Sequence, residues 1–314
     1  MGTPKFACPS LETLIQRTKL VGVVTQPDRP SGRGKKFISS PVKKLAQEKD
    51  IPLYQPQSVN SKSFIHEMRE IAPDLVIVVA FGQILSSEFL SIPRICSLNL
   101  HPSLLPHHRG PAPIPWAIIK GEKETGVTIQ KIEEEVDEGR IIIQRSLPIG
   151  DSDTAKDMEE KLSLLGAELL LEAIKMIKEG SVKYRAQDRG QASYVPKIEK
   201  RDGLIKWERP SRNIHNLVRG LNPYPGAFTF IKLRGERTRI KIWQTELIEE
   251  KFEEKRKAEP GEIIKIWKEK GFLVKGGEGL LLVKKLQLPG RNPISGYDFV
   301  KGYQVKEGMV LGCI

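Results

Sequence analysis

The hydrophobic and polar positions of the chain fall into two textures. In the first, residues 20–25 (LVGVVT) form a short β-branched run, and residues 75–80 (LVIVVA) are continuously apolar, as in a strand buried on both faces. Residues 96–100 (CSLNL), 126–132 and 140–147 predict further strands. Between them lie helical patterns. Residues 61–71 space Phe64, Ile65, Met68 and Ile71 at a helical period, and residues 41–50 open on Pro41, a residue suited to a first turn. Residues 113–120 predict another helix. The longest is predicted over 154–178, where Met158, Leu162, Leu165, Leu169 and Ile174 recur behind Asp153 as a cap. Strands alternating with helices predict a doubly wound, mostly parallel α/β sheet.

Residues 183–201 break the pattern. They are polar, contain Gly190 and Pro196, and predict a linker. A helix at 211–221 follows, then short strands at 227–233, 238–247, 261–267, 272–275 and 280–288, separated by Gly and Lys/Glu turns. Five closely spaced strands predict a small antiparallel barrel of the OB-like kind. The expected organisation is a first domain over 1–183, a linker over 184–202 and a second domain over 203–314.

Composition narrows the class. The 314 residues carry 51 Lys and Arg against 39 Asp and Glu, a net charge of +12. The charged fraction of 29% and hydrophobic fraction of 39% argue against wholesale disorder. No apolar run approaches the roughly 20 residues of a membrane span, and no signal-peptide pattern follows Met1, so a cytoplasmic protein is expected. Cys8, Cys96 and Cys313 are far apart, which argues against a disulfide framework or a zinc knuckle. The charge is unevenly placed. Residues 203–314 hold 22 basic and 13 acidic side chains, and residues 28–44 hold Arg29, Arg33, Lys35, Lys36, Lys43 and Lys44 against Asp28 alone. Such concentration suits a polyanion-binding surface. Scattered solubilising lysines explain the C-terminal third equally well, but not the loop.

Chemistry concentrates after the strand at 96–100. Asn99 and His101, two apart, point to one side at the carboxyl end of that strand, where open α/β sheets place ligands. An amide and an imidazole there can stabilise an oxyanion or move a proton. A strand-end histidine with a structural asparagine is an equal reading of these two residues alone. The proline-rich loop 102–113 adds His107 and His108, but adjacent loop histidines lack metal-ligand geometry, and no metal is expected. Asp137, between Val136 and Gly139 in an acidic turn, is a further candidate to point inward.

Asn99, His101, the run Ser103-Leu104-Leu105-Pro106, Arg109-Gly110 and Asp137 together resemble the signature of the folate-dependent formyltransferases. The opening Gly2-Thr3-Pro4-Lys5-Phe6-Ala7, the loop at 25–36 (TQPDRPSGRGKK), residues 79–85 (VAFGQIL) and residues 222–226 (NPYPG) are narrower. They are similar to the members of that family that act on initiator methionyl-tRNA, and the likeness keeps its order over essentially the whole chain. The resemblance implies a Rossmann-like catalytic domain followed by an OB-like domain lying along the tRNA. It implies transfer of the formyl group of 10-formyltetrahydrofolate, a co-substrate, to the α-amine of methionine on initiator methionyl-tRNA. Asn99, His101 and Asp137 would form the catalytic trio. Phe81, Gly82, Gln83, Ile84 and Leu85, with Ser103, Leu104, Leu105 and Pro106, would hold the folate. Arg29, Arg33, Lys35 and Lys36 would hold the tRNA acceptor end, and a monomer is expected.

Two departures stand out. The family usually places a strand before Gly-Thr-Pro, whereas this chain starts at Met1-Gly2, so a few leading residues are expected to be missing. Glu135 occupies a position where the family usually has Gly, and an altered turn is expected. Family members acting on small amines share the trio, and the basic loop is what separates them. A non-catalytic RNA-binding protein would leave the Asn99, His101 and Asp137 set unexplained.

Overall fold

The computed structural model describes residues 1–31, 36–248 and 258–312. In chain order these form α1 (Cys8–Arg17), β1 (Val23–Val24), β2 (Arg29–Ser31), β3 (Lys36–Ile38), α2 (Pro41–Glu48), β4 (Leu53–Tyr54), α3 (Lys62–Ile71), β5 (Leu75–Val79), α4 (Ser87–Leu90), β6 (Cys96–His101), α5 (Pro113–Lys120), β7 (Glu124–Lys131), β8 (Ile141–Pro148) and α6 (Ala155–Lys178). Then come α7 (Ser211–Gly220), β9 (Ala227–Leu233), β10 (Glu236–Ile248), β11 (Ile263–Trp267), β12 (Gly271–Lys275), β13 (Leu280–Gln287), β14 (Ile294–Ser295) and α8 (Gly296–Tyr303). Two compact units result. One holds Met1–Pro113, Glu124–Pro148 and Glu159–Pro196, and the other holds Ile114–Lys123, Ile149–Met158 and Lys197–Ile314.

In the first unit, β1 pairs with β4 and β5 pairs with β6, both in parallel. Beyond β6 the sheet turns antiparallel, through β7 to β8. The parallel character expected from the alternating pattern therefore holds up to β6. The apolar run of β5 supplies Val76 and Val78 to a core that also takes Phe64, Ile65 and Met68 from α3. Helix α3 starts where Ser61 Oγ accepts the Phe64 N–H, and it stops at Ala72, whose backbone is left-handed ahead of Pro73. Met1 and Gly2 enter between β1 and β5: Gly2 N donates to Val24 O at 3.0 Å and Val79 N donates to Met1 O at 2.9 Å. A cavity of about 520 Å³ is lined by Met1, Leu11, Leu14, Val24, Val76 and Ile77 among others.

The segment expected to be a linker is, up to Pro196, part of this unit. Arg185 exchanges backbone hydrogen bonds with Ile141, at 2.8 and 2.9 Å, and Tyr194 lies in a parallel bridge with Arg109. Much of it remains exposed to water, while Gln187 and Ser193 turn polar groups toward this unit. Two stretches assigned from the sequence to the first domain, Ile114–Lys123 and Ile149–Met158, pack instead in the second unit. Ile119 lies against Gly220 of α7, and Arg219 donates from Nη1 to the carbonyls of Gly150 and Asp153 at 2.9 and 3.2 Å.

The second unit is built on an antiparallel sheet in the order β11-β12-β13-β10-β9, with β14 added to β13. Alternate residues of β9 and β10, including Ile231, Leu233, Ile240 and Ile242, join Trp207, Ile214, Phe272, Val283 and Phe299 in one core. Gly271 is needed where β12 begins: its φ is +141° and a Cβ there would overlap the Val283 carbonyl oxygen. His215 of α7 is held at both ring nitrogens, 2.8 Å from Thr245 Oγ1 and 3.0 Å from the Asp151 carbonyl.

Candidate active site

The site lies at the carboxyl end of β6. Alternation along the strand turns Asn99 and His101 the same way, and the antiparallel register of β7 sets Gln130 opposite Asn99 and Thr128 opposite His101. Asp137 reaches this face from the turn between β7 and β8, with a left-handed backbone (φ +58°) unusual for a side chain other than Gly. Its Oδ1 accepts from Asn99 Nδ2 at 3.2 Å and from Gln130 Nε2 at 3.3 Å, and lies 3.4 Å from His101 Nδ1. Its Oδ2 accepts the Gly110 N–H at 2.9 Å. The three residues expected to act together are thus gathered around one carboxylate.

His101 is 5% exposed, and its Nε2 lies 3.0 Å from the His108 carbonyl oxygen. A carbonyl can only accept, so Nε2 carries a hydrogen. The other nitrogen, Nδ1, faces the Asp137 carboxylate, so both ring nitrogens are engaged. His107 is exposed, whereas His108 is buried and donates its N–H to Ser193 Oγ at 2.9 Å. The three histidines therefore point to different surroundings.

Around Asp137 stands a layer of polar residues, of which the sequence singles out Arg109 in the signature without giving it a role. Arg109 is 1% exposed. Its Nε and Nη2 donate to Gln187 Oε1 at 3.1 and 2.8 Å, and its Nη1 meets Glu138 Oε1 and Tyr194 Oη, each at 2.8 Å. The Tyr194 hydroxyl, donating to Glu138, holds that carboxyl below its usual range, aided by Arg109 and Arg189. Thr128 and Gln130 were legible as the polar alternation of the strand sequence VTIQ. Gln187 was not, because it reaches the site from the segment read as a linker.

The residues expected to hold folate divide by exposure. Phe81, Leu85, Ser103 and Leu105 are buried, and Ser103 Oγ donates to the His107 carbonyl at 2.6 Å. Gln83 spends its amide on Val59 N and the Gln57 carbonyl, at 3.0 and 3.3 Å. The surface offered to a ligand comes from Gly82, Ile84 (70% exposed), and the half-buried Leu104 and Pro106.

Of the basic loop, Arg29 is exposed on β2 and donates to Gln26 Oε1 at 3.3 Å. Lys36 begins β3, and Arg33 and Lys35 lie outside the described residues. Lys43 pairs with Asp28 at 2.7 Å. That hydrogen bond, with a second from Gln55, keeps the Asp28 carboxyl below its ordinary range. A second basic surface lies on the outer face of β9 and β10. Arg237 stacks over Phe230 and Arg239 over Phe228, each at 3.7 Å, and Lys241 sits 5.2 Å from Trp243. Guanidinium groups laid flat on rings are held in place with their edges free to meet phosphate.

Residues 2–174 match the formyl transferase family, and residues 197–304 match the formyl transferase C-terminal domain. A methionyl-tRNA formyltransferase from Geobacter sulfurreducens is 42% identical over 313 residues, covering 99% of this chain and 95% of its own. Among solved structures, WlaRD, a sugar 3N-formyl transferase crystallised with dTDP and 5-N-formyl-THF, superposes with a TM-score of 0.65 at 21% identity, covering 93% of this chain and 97% of WlaRD. HypX from Aquifex aeolicus gives a TM-score of 0.57 at 21% identity; the match covers 83% of this chain and 45% of HypX. With both units matched in order and a relative this similar over its full length, the chain belongs to the formyl transferase family.

Proposed function

We propose that the chain transfers the formyl group of 10-formyltetrahydrofolate to the α-amine of methionine on initiator methionyl-tRNA. The observation that carries the chemistry is the convergence of Asn99, His101 and Asp137 at the carboxyl end of β6. The acceptor is supported by the similarity to full-length methionyl-tRNA formyltransferases and by a basic surface on each unit. A small amine substrate would need neither surface.

The amine nitrogen attacks the formyl carbon, so no protein nucleophile is required. The carbonyl oxygen becomes an oxyanion, the bond from carbon to the folate nitrogen breaks, and that nitrogen gains a proton to balance the one the attacking amine gives up as tetrahydrofolate leaves. Asn99 gives one amide hydrogen to Asp137 and has one left for the oxyanion. A well-placed donor of this kind contributes about 3–4 kcal/mol. His101 was expected to be a second donor. With both nitrogens engaged, its contribution in this arrangement is to fix the Asp137 carboxylate against the His108 loop beside the reacting centre. Asp137 accepts from Asn99, Gln130 and Gly110 as well as facing His101, which favours a role in orienting Asn99 and His101 over one as a free base.

The test is a transfer assay with the purified chain, 10-formyltetrahydrofolate and charged initiator tRNA, reading formylmethionine released from the tRNA. Rapid formylation of methionyl-tRNA and slow formylation of free methionine or amino-sugar nucleotides is the expected result. A preference for a small amine overturns the reading.

A further inference from the structure

Asp137 is the one residue of the trio that does not sit on regular structure. Its left-handed φ of +58° has to be held by its surroundings, because a side chain other than Gly is disfavoured there. Three neighbours of the turn bear on this. Gly139 lies so close to β7 that a Cβ would overlap the Lys131 carbonyl. Gly110 N fixes one carboxylate oxygen. The third is Gln187, some 50 residues later in the chain, whose Nε2 lies 2.8 Å from both the Asp137 and Gly139 carbonyl oxygens and 3.1 Å from Gln130 Oε1.

The orientation of that amide is dictated by chemistry. Arg109 has only donors, and two of its nitrogens face Gln187 Oε1 at 3.1 and 2.8 Å. The atom facing Arg109 must therefore be oxygen, which leaves the amide hydrogens for the three carbonyl oxygens on the far side. Gln130 is set in turn: its Oε1 receives from Gln187, so its own amide hydrogens face Asp137 Oδ1. The result is a directed relay from Arg109 through Gln187 and Gln130 to the carboxylate, in which each bond fixes the polarity of the next. Arg109 is itself locked, by Glu138, by Tyr194, and by backbone bonds to Ser193 and Val195 at 2.8 Å each.

We propose that Gln187 is a positioning residue for formyl transfer: anchored by Arg109, it holds the Asp137 turn and the Gln130 amide so that the Asp137 carboxylate faces Asn99 and His101. The inference rests on the reading of Asp137 as part of the reacting site. It assigns function to the stretch between the two matched family regions, residues 175–196.

The test uses the full chain and Gln187→Glu. This substitution keeps the side-chain shape and keeps Arg109 paired, but turns an acceptor toward three acceptors. The expected result is a fall in kcat of about 10- to 100-fold, with KM for methionyl-tRNA and for 10-formyltetrahydrofolate within about threefold of the parent. Thermal melting checks folding. Should Gln187→Glu lose its melting transition, Gln187→Ala, which adds no charge, is read the same way. Asp137→Asn is measured alongside, alone and combined with Gln187→Glu. If Gln187 acts through Asp137, the double variant is no slower than Asp137→Asn alone. Parent-like kcat in the Gln187 variants, or losses that multiply in the double variant, overturns the relay. Parent-like kcat in Asp137→Asn instead overturns the reading of the site itself.

Discussion

Asn99 and Gln130 stand opposite one another on β6 and β7 and donate to the same oxygen, Asp137 Oδ1, at 3.2 and 3.3 Å. The shared acceptor fixes which side of the Asn99 amide carries hydrogens. With one amide hydrogen on Asp137 Oδ1, the other is left for the carbonyl of the proposed formyl donor.

Asn99→Ala removes that donor together with one of the hydrogen bonds to the carboxylate, leaving those from Gln130 and Gly110. The expected outcome is a fall in kcat of about 10²- to 10³-fold, with KM for methionyl-tRNA little changed, because the oxyanion exists only in the transition state. Steady-state kinetics at varied tRNA concentration checks this, and a rise in KM at constant kcat would refute the assignment.

The stacked pair Arg237 and Arg239 predicts a different signature. Arg237→Gln with Arg239→Gln is expected to raise KM for methionyl-tRNA about tenfold and leave KM for 10-formyltetrahydrofolate unchanged. The dependence of log Kd on log salt should flatten by about two, close to one counterion for each phosphate that is no longer neutralised. Binding titrations from low to moderate salt read the slope directly.

Gly271 carries a stability prediction. Gly271→Ala sets a Cβ against the Val283 carbonyl at a φ of +141°, which β12 can relieve only by pulling away from β13. A loss of about 3 kcal/mol or more is expected in urea unfolding. A loss below about 1 kcal/mol would mean that the strand pair yields more readily than its register implies.

His215 carries a pH prediction. Burial pushes its imidazole below the ordinary value of 6.5, helped by Arg219 and Arg212 and opposed by the Asp151 carbonyl and carboxylate. The unfolded chain therefore binds a proton at a higher pH than the folded chain does. Stability from this group is fully present above pH 6.5 and is lost as pH falls from there toward the folded value. Unfolding free energy should decline between pH 7 and pH 5.5 more steeply in the parent than in His215→Gln. Equal slopes would show that the ring is not charged differently in the two states.

The parts of this architecture that were legible in the sequence are those written in local periodicity. The run at 75–80 reads as a strand buried on both faces; β5 forms there, with Val76 and Val78 buried and Leu75 and Ile77 only half-buried. The two-residue spacing of Asn99 and His101 placed both on one face. Helix α6 was evident from its apolar repeat. What escaped was long-range. Gln187 is read as surface because polar composition ordinarily means water, yet here its amide meets Arg109 and three carbonyl oxygens. The transfer of Ile114–Lys123 and Ile149–Met158 to the second unit was hidden for a similar reason. An apolar helix face does not say which core it joins. Helices α1 and α8 are short, and their few apolar residues, such as Leu11 and Leu14 or Phe299 and Val300, fall below what periodicity alone separates from loops.

The backbone pairing of Arg109 with residues 193–195 sets a limit on how the chain can be divided. A fragment cut at residue 174, where the first family match ends, would retain Asn99, His101 and Asp137. It would lack Gln187 and the strand-like stretch that covers Arg109, leaving a buried guanidinium without its amide and hydroxyl partners. The smallest piece able to preserve the arrangement around Asp137 therefore ends no earlier than Val195. Modularity here is defined by hydrogen bonding across the first unit, and the last turn of α6 is the wrong place to draw the border.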